Sequence, residues 1–575
     1  MALPILPAHA SPTGMESTTK DAHDRNIPFQ LKADDNARYR AIFAAIHAEK
    51  WAEAKSLIDA TNDVSLRAIA QAELYLAKNS PRVELFDILA LIDKAPSIPE
   101  AEKLTRLAQK RGATILPTLP QIQQLAWFPG SPRRTVTATI RQDAAGQALG
   151  EMILPLIKND DPAGAEALLT NAESGLSPEA LTEWRQRVAW SYYIENDDTN
   201  ARRMAARALQ DGTGPWLAQA HWVAGLAAWR QNDCQTAAPA FENVAARADN
   251  DDMRAAGYYW AARSHMVCGN APKVENLMRS ATRLDETFYG LLAQEALSIQ
   301  APVNAMSAQF DGDDWARLKN HQNVRISIAL VEIDENELAD EVLRHQARIG
   351  AQNEHDSLLR LARGLDLPET QIWLAHNAPA GQRPDASARY PMPKWTPDGG
   401  WRVDKALVFA HALQESNFRA SVVSPAGARG LMQVMPGTAR LMAGSVIDPV
   451  QLNNPSTNME YGQRYLESLR DMSATGGLLP KVMAAYNAGP APVGRWNSEV
   501  HDNGDPLLFI ESIPYYETRA YVTIVMRNYW MYQQQAGKKT SSLASLAQGL
   551  WPRFPGMSGA TAVRADANGR SFGAD

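Results

Sequence analysis

Asp404-Lys405-Ala406-Leu407-Val408-Phe409-Ala410-His411-Ala412-Leu413-Gln414-Glu415-Ser416-Asn417 reads as one buried helix with a carboxylate at its end. Asp404 has the chemistry of an N-cap, and Leu407, Phe409, Ala410 and Leu413 turn inward. A helix C-terminus is the negative end of the dipole, and apolar surroundings disfavour an ionised carboxyl. Both effects push the pKa of Glu415 upward, so the residue is expected to hold a proton near neutral pH. On position alone, a mid-chain glutamate is a solvated surface charge. Its neighbours in sequence decide between the two readings.

Upstream, the stretch 377–400 holds Pro379, Pro384, Pro391, Pro393 and Pro397 with Gly381, Gly399 and Gly400, the composition of a linker. Downstream, Ser424-Pro425-Ala426-Gly427-Ala428-Arg429-Gly430-Leu431-Met432-Gln433 has two glycines three apart, which suits a tight turn or short hairpin where backbone approaches a ligand. Met435 precedes Pro436, which opens another helix. Ala484-Ala485-Tyr486-Asn487-Ala488-Gly489-Pro490 ends a helix in small residues and turn formers, leaving a phenol and an amide near the terminus. Finally, Ile510-Glu511-Ser512-Ile513-Pro514-Tyr515-Tyr516-Glu517-Thr518-Arg519 opens a helix whose Tyr521, Val522, Val525 and Tyr529 face a core.

Ahead of the linker, residues 37–297 form helix after short helix with almost no alternating β-branched run. Ala227-Ala228-Trp229 leading to Cys234 matches Ala261-Ala262-Arg263 leading to Cys268 at a shift of 34 residues, the period of tetratricopeptide-like helical hairpins. Trp184, Trp190, Trp216, Trp222, Trp229 and Trp260 are better read as filling between helices than as sugar-stacking platforms. The cysteines fall at matching points of consecutive repeats. Helix axes pack about 8–10 Å apart and a disulfide needs Cα atoms within about 7 Å, so a Cys234–Cys268 bond is left open.

Over 575 residues the chain balances 57 Lys and Arg against 64 Asp and Glu. That charge lacks the attraction to phosphate on which nucleic-acid binders rely, so no nucleic acid is expected as partner. No stretch approaches the roughly 18 consecutive apolar residues of a membrane span. No His-x-x-x-His or carboxylate cluster points to a metal, and no cofactor is expected. Met1–Leu6 is apolar, and Ala8-His9-Ala10 has the small-x-small spacing of a signal-peptidase site, without a basic n-region. The chain then begins inside a secretory signal, or has an ordinary flexible N-terminus.

The Glu-Ser, Gly-Leu-Met-Gln, Ala-Tyr-Asn-Ala-Gly and Ile-Pro-aromatic-x-Glu-Thr-Arg motifs, in that order over about 110 residues, closely resemble the catalytic domain of lytic transglycosylases, which has a goose-lysozyme-like fold. The whole chain resembles the family of large soluble murein transglycosylases of the Gram-negative periplasm, and Asp285–Ala293 resembles a segment near the end of that family's superhelix. The resemblance implies an all-α fold. Its parts would be a flexible N-terminus or signal remnant (1–30), a TPR-like superhelical ring or horseshoe (31–297), a helical linker domain (298–390), a lysozyme-like domain with a small β-hairpin region (391–545) and a flexible tail (546–575).

The same resemblance implies non-hydrolytic cleavage of the β-1,4 bond between N-acetylmuramic acid and N-acetylglucosamine, leaving 1,6-anhydromuramoyl ends. Glu415 would be the single acid and base, with the substrate's N-acetyl group assisting. Ser416, Gly430, Leu431, Met432, Gln433, Met435, Tyr486, Asn487, Ala488, Glu511, Tyr515 and Glu517 would line the sugar subsites, with Gln433 and Tyr486 bonding near the reacting centre and Met432 packing on a ring. One of Glu511 and Glu517 would reach substrate while the other caps the helix or pairs with Arg519. Peptidoglycan strands are the expected partner, cell-wall synthases the proteins to look for, a monomer the expected state and the periplasm the expected place. The alternatives are a hydrolytic muramidase on the same scaffold and a glycan-binding scaffold without catalysis.

Overall fold

A computed structural model describes residues 26–299, 309–382, 384–565 and 571–573. Of the stretch 1–30, expected as a signal remnant or flexible N-terminus, residues 1–25 lie outside the described residues. The described chain forms two compact units, 26–128 with 309–394 and 129–299 with 395–573, so the division falls within the stretch 31–297 expected as one superhelix. Helices dominate both units.

In the first unit, helices Ala33–His47, Trp51–Asp59, Arg67–Leu76, Leu85–Lys94 and Ala101–Lys110 share one core with Gln322–Glu332, Asn336–Ile349, His355–Gly364 and Pro368–His376. An antiparallel pair, Ala126–Trp127 on Asn377–Ala378, joins the two stretches of chain.

The second unit begins with helical hairpins: Ala144–Lys158 and Pro162–Ala172, Pro178–Ile194 and Asp198–Gln210, Leu217–Arg230 and Cys234–Arg247, Asp251–Val267 and Ala271–Thr282, then Phe288–Ala296. Each hairpin turns on one residue in the left-handed region, Asp160, Asn196, Asn232 and Gly269 in succession, followed by an aspartate or asparagine. Asn, Asp and Gly tolerate that backbone best. At Asp161, Asp197 and Asp233 the next side chain then accepts an N–H of the new helix's first turn.

These turns correct the 34-residue alignment. Cys234 opens the second helix of its hairpin, whereas Cys268 caps the first helix of the next. Slipping a sequence by about one helical turn keeps small residues on the same face, and so mimics a repeat. Because the two cysteines are not equivalent, one stands at a helix start and the other at a helix end, their Cα atoms 5.8 Å apart, and they are bonded.

The tryptophans fill the array. Trp184, Trp216, Trp222 and Trp260 are buried, with Trp222 and Trp260 perpendicular at 6.4 Å. Guanidinium groups lie on several of their faces: Arg187 on Trp184 and Trp216, Arg263 on Trp229 and Trp260, Arg519 on Trp190.

Before the first hairpin an extended strap crosses the array. Ser131 Oγ donates to Glu286, Thr135 Oγ1 accepts from Asn250, the Ala138 carbonyl accepts from Trp216 Nε1, and the Ile140 N–H donates to Glu183.

The remaining helices are Lys405–Ser416, Pro436–Ala443, Pro455–Asp471, Leu479–Ala488, Pro490–Glu499, Pro506–Ser512, Tyr516–Gln535 and Ser541–Ala547. The small hairpin expected near Gly427 is present as single bridges, Val423 with Arg429 and Arg429 with Val434. The tail expected to be flexible over 546–575 is instead built into the unit through residue 565. Trp551–Pro552, Ala562–Ala565 and Ser571–Gly573 form a three-stranded antiparallel sheet. Two aromatic anchors outweigh the Gly, Ala and Ser around them: Trp551 and Phe554 are buried, and Trp551 Nε1 donates to the Gly504 carbonyl at 2.8 Å.

Cross-linking Cys234 to Cys268 removes disorder from the unfolded chain, worth about 3–4 kcal/mol for a loop of this length. Reduction, or Cys234→Ser with Cys268→Ser, is expected to lower the melting temperature of the second unit, measured by calorimetry with and without reductant.

Candidate active site

The Glu415 helix is built as its sequence predicts. Asp404 Oδ1 accepts the Ala406 N–H at 3.1 Å, and Tyr529 Oη donates to Asp404 at 2.9 Å. Asn417 and Phe418 are both left-handed and stop the helix directly after Glu415 and Ser416. Phe418 turns back under the helix onto Phe409, with ring centroids 5.6 Å apart.

Glu415 is half-buried. Burial pushes its carboxyl up to about 7; a hydrogen bond from Tyr521 pulls it down, and the charge of Glu517 pushes it up again. Tyr521 Oη lies 2.6 Å from Oε1. Tyr521 was placed in the core by its spacing; its ring is there, and its hydroxyl is the polar partner of the acid. His411, one turn before Glu415, lies fully buried with Nδ1 2.8 Å from the same hydroxyl. No motif had singled out either role; the signal that could have found His411 is an ionisable residue at i−4 on an otherwise apolar face.

The loop 430–433 is held from beneath by polar groups spent on its backbone. Ser416 Oγ donates to Leu431 O at 2.8 Å, and Tyr486 Oη to Met432 O at 2.8 Å. Asn458, fully buried, accepts from the Met432 N–H and donates to Arg429 O and Leu452 O, each at 2.8 Å. Gln433 is left-handed and donates through Nε2 to Gly430 O at 2.9 Å. Gly430 is left-handed too, and a Cβ there would run into Leu452 O and Asn458.

These bonds sort the expected subsite residues. Ser416, Gly430, Leu431 and Met432 are buried and form the floor. Met432 packs inward against Gly462, where a Cβ would meet its sulfur, so it does not present a face to a sugar ring. Gln433, Tyr486, Asn487 and Ala488 are half-buried, while Met435, Tyr515 and Glu517 are exposed. Asn487 Oδ1 accepts from Thr518 Oγ1 at 2.6 Å, which ties the Ala-Tyr-Asn motif to the first turn of helix Tyr516–Gln535.

Glu511 is corrected. It is fully buried and faces the hairpin array: Arg134 donates to it twice, at 2.7 and 3.1 Å, and Tyr289 Oη donates at 2.7 Å. Asp252 lies 3.5 Å from Arg134 Nε, and Arg134 Cζ lies 5.2 Å from the Trp222 ring centroid. Arg519 pairs with neither glutamate of its motif by a direct bond. It donates to Ile513 O at 2.8 Å, and burial brings its pKa down to about 10. The Asp285–Ala293 segment is the seat of this contact, since Phe288 stacks on Trp530 at 5.0 Å beside Tyr289. Among the described residues, no group of three or more His, Cys, Asp or Glu side chains could hold a metal.

A helical domain in which a glutamate of raised pKa closes one helix above a bonded Gly-Leu-Met-Gln loop bears out the resemblance read from the motifs, and residues 397–509 match the family model of the Transglycosylase SLT domain. The chain is similar to the soluble lytic murein transglycosylase of Salmonella typhimurium, 28% identical over 314 residues, which are 51% of this chain and 46% of that protein. It is also similar to the soluble lytic murein transglycosylase of Escherichia coli, 35% identical over 155 residues, 26% of this chain and 24% of that one. The chain thus aligns with less than half the length of these curated relatives. The crystal structure of the 70 kDa soluble lytic transglycosylase from Escherichia coli has the same fold at a TM-score of 0.56 and 17% identity, covering 91% of this chain and 100% of that one.

Removing one partner of a buried ion pair strands the other, at a cost of about 3–5 kcal/mol. Arg134→Met and Glu511→Gln are each expected to destabilise the second unit strongly, and the double variant by less than their sum, as read in denaturant titrations. For Glu415 the folded pKa is raised from 4.5 to about 7, so its stabilising contribution is complete below 4.5 and lost as pH rises through about 7. Glu415→Gln is therefore expected to raise the melting temperature relative to wild type at pH 8 and not at pH 4.

Proposed function

We propose that this chain is a lytic murein transglycosylase. The observation that carries the reading is Glu415: a carboxyl near half-protonation at neutral pH, at the helix end within the SLT-domain match. A group poised there can give a proton in one step and take one in the next. Glu415 donates its proton to the glycosidic oxygen between N-acetylmuramic acid and N-acetylglucosamine. The bond to C1 breaks, and the substrate's N-acetyl oxygen supports the positive centre. The Glu415 carboxylate then takes the proton of the muramoyl O6 as that oxygen closes on C1, which gives the 1,6-anhydro end and restores the acid.

Tyr521 supports the carboxylate stage by donating to Oε1. Gln433, Met435, Tyr486, Asn487, Ala488, Tyr515 and Glu517 are the exposed or half-buried motif residues offered to the glycan. The names of the Salmonella and Escherichia relatives support murein as the substrate, and an inactive mutant of the Pseudomonas aeruginosa lytic transglycosylase carries a glutamate-to-glutamine change. A periplasmic place fits the Cys234–Cys268 bond, because disulfides persist in oxidising compartments.

One observation favours a second reading. Glu517 is exposed and close enough to raise the Glu415 pKa, and a muramidase would need such a second carboxylate to activate a water. Digestion of purified murein sacculi separates the two, since a hydrolysed end is one water heavier than the anhydro end.

The wild type is expected to release anhydromuropeptides, and Glu415→Gln to stay folded and release none. Because Glu415 must begin protonated, kcat/KM is expected to fall on the alkaline side with a midpoint near 7. Undiminished release by the variant, or hydrolysed ends from the wild type, would overturn the assignment.

A further inference from the structure

We infer that His411 is a positioning residue for the acid: its Nδ1–H fixes the Tyr521 hydroxyl as a donor to Glu415 Oε1, leaving Oε2 as the oxygen that carries and delivers the proton. This rests on Glu415 being the acid of the reading above. His411 and Glu415 stand one turn apart on one helix face, and Tyr521 Oη bridges them at 2.8 and 2.6 Å.

A phenol has one proton to give, so its direction is set by whichever neighbour must donate to it. His411 is fully buried, its ring 4.5 Å from that of Tyr486 and 6.0 Å from that of Tyr521, and Nε2 has no hydrogen-bond partner. A proton on Nε2 would therefore be an unpaired buried N–H, which proteins avoid more strictly than an unpaired acceptor. With the proton on Nδ1 instead, Nε2 keeps only a bare lone pair. The hydroxyl then accepts from His411 and donates to Oε1 whether Glu415 is charged or neutral. Since Oε1 always accepts, the acidic proton sits on Oε2, to which no described residue donates.

The other groups facing Glu415 do not compete for this hydroxyl. They are Glu517 from helix Tyr516–Gln535 and Tyr486 from helix Leu479–Ala488, whose own hydroxyl is spent on Met432 O, with Tyr465 of helix Pro455–Asp471 against Tyr486. Burial also pushes the imidazole down to about 3, so it remains neutral and adds no charge.

The first test reads the tautomer directly, by long-range proton–nitrogen correlation on the 15N-histidine-labelled full chain near neutral pH, the His411 signals assigned by their loss in His411→Asn. A protonated Nδ1 with a bare Nε2 is expected; an Nε2–H tautomer or an imidazolium overturns the inference, whether or not the protein proves lytic.

The second test is kinetic. His411→Phe keeps the ring and loses the donor, and is expected to lower kcat about tenfold, the scale of one hydrogen bond, at unchanged KM. Its alkaline limb should move to higher pH, because a freed Tyr521 no longer stabilises the carboxylate form. His411→Asn, whose amide can occupy the Nδ1 position, should restore both. A folded His411→Phe with the wild-type limb overturns the inference. If that variant fails to fold, His411→Asn with Tyr521→Phe is compared with Tyr521→Phe alone: the two limbs are expected to coincide, and a shift between them, with the phenol absent from both, overturns the inference.

Discussion

The buried carboxylate of Glu511 is the constraint around which the second unit is arranged. A charge with no access to water must be matched at fixed distances, and here the two Arg134 bonds and the Tyr289 hydroxyl supply the match. Arg134 comes from the strap, Tyr289 from the last helix of the array and Glu511 from helix Pro506–Ser512, so meeting one charge brings three distant segments into register. The Arg134 carbonyl in turn accepts from Tyr516 Oη at 3.0 Å, at the first residue of the helix that carries Tyr521. The helix that carries the hydroxyl beside Glu415 is thus tied at its first residue to the strap that crosses the hairpin array.

At Glu415 burial outweighs the hydrogen bond that opposes it, and the net shift brings the carboxyl to about 7. Burial and Glu517 favour the neutral acid, Tyr521 favours the carboxylate, and neither form dominates at neutral pH. A more exposed glutamate would be ionised at neutral pH; one without the phenol would hold its proton more tightly. Ser416, Tyr486 and Asn458 spend their polar atoms on the carbonyls and N–H groups of residues 429–432, holding left-handed backbone at Gly430 and Gln433 close to the acid.

Much of this was legible in the sequence, and the reasons it was differ by residue. Asp404, Pro436 and the stop after Ser416 act through local backbone chemistry, which depends on few neighbours and so can be read directly. The raised pKa of Glu415 followed from the apolar residues on its own helix. Met432 and Glu511 were not placed correctly, and the hydroxyl of the correctly buried Tyr521 was given no partner, because the groups they meet lie far away in the chain: Gly462 for the first, Arg134 and Tyr289 for the second, Glu415 itself for the third. Glu511 shows the difficulty most clearly. In a motif of polar and turn residues a glutamate looks available to a ligand, and only an arginine 377 residues earlier reveals that it is spoken for. The tail was misjudged for the opposite reason, since average composition hid the two buried aromatics Trp551 and Phe554.

The strap behaves as a ruler for the array it crosses. Its bonds at Ser131, Thr135, Ala138 and Ile140 reach Glu286, Asn250, Trp216 and Glu183, stepping back through the hairpins as the strap runs forward. Extended chain advances about 3.3 Å per residue and packed helices are spaced about 8–10 Å apart, so roughly three residues of strap are consumed for each layer. Duplicating or deleting a hairpin, the ordinary route by which solenoids change length, would leave the strap too short or slack and pull Arg134 off Glu511. A change in the number of layers would therefore need a matching insertion or deletion between residues 131 and 140 to keep these bonds.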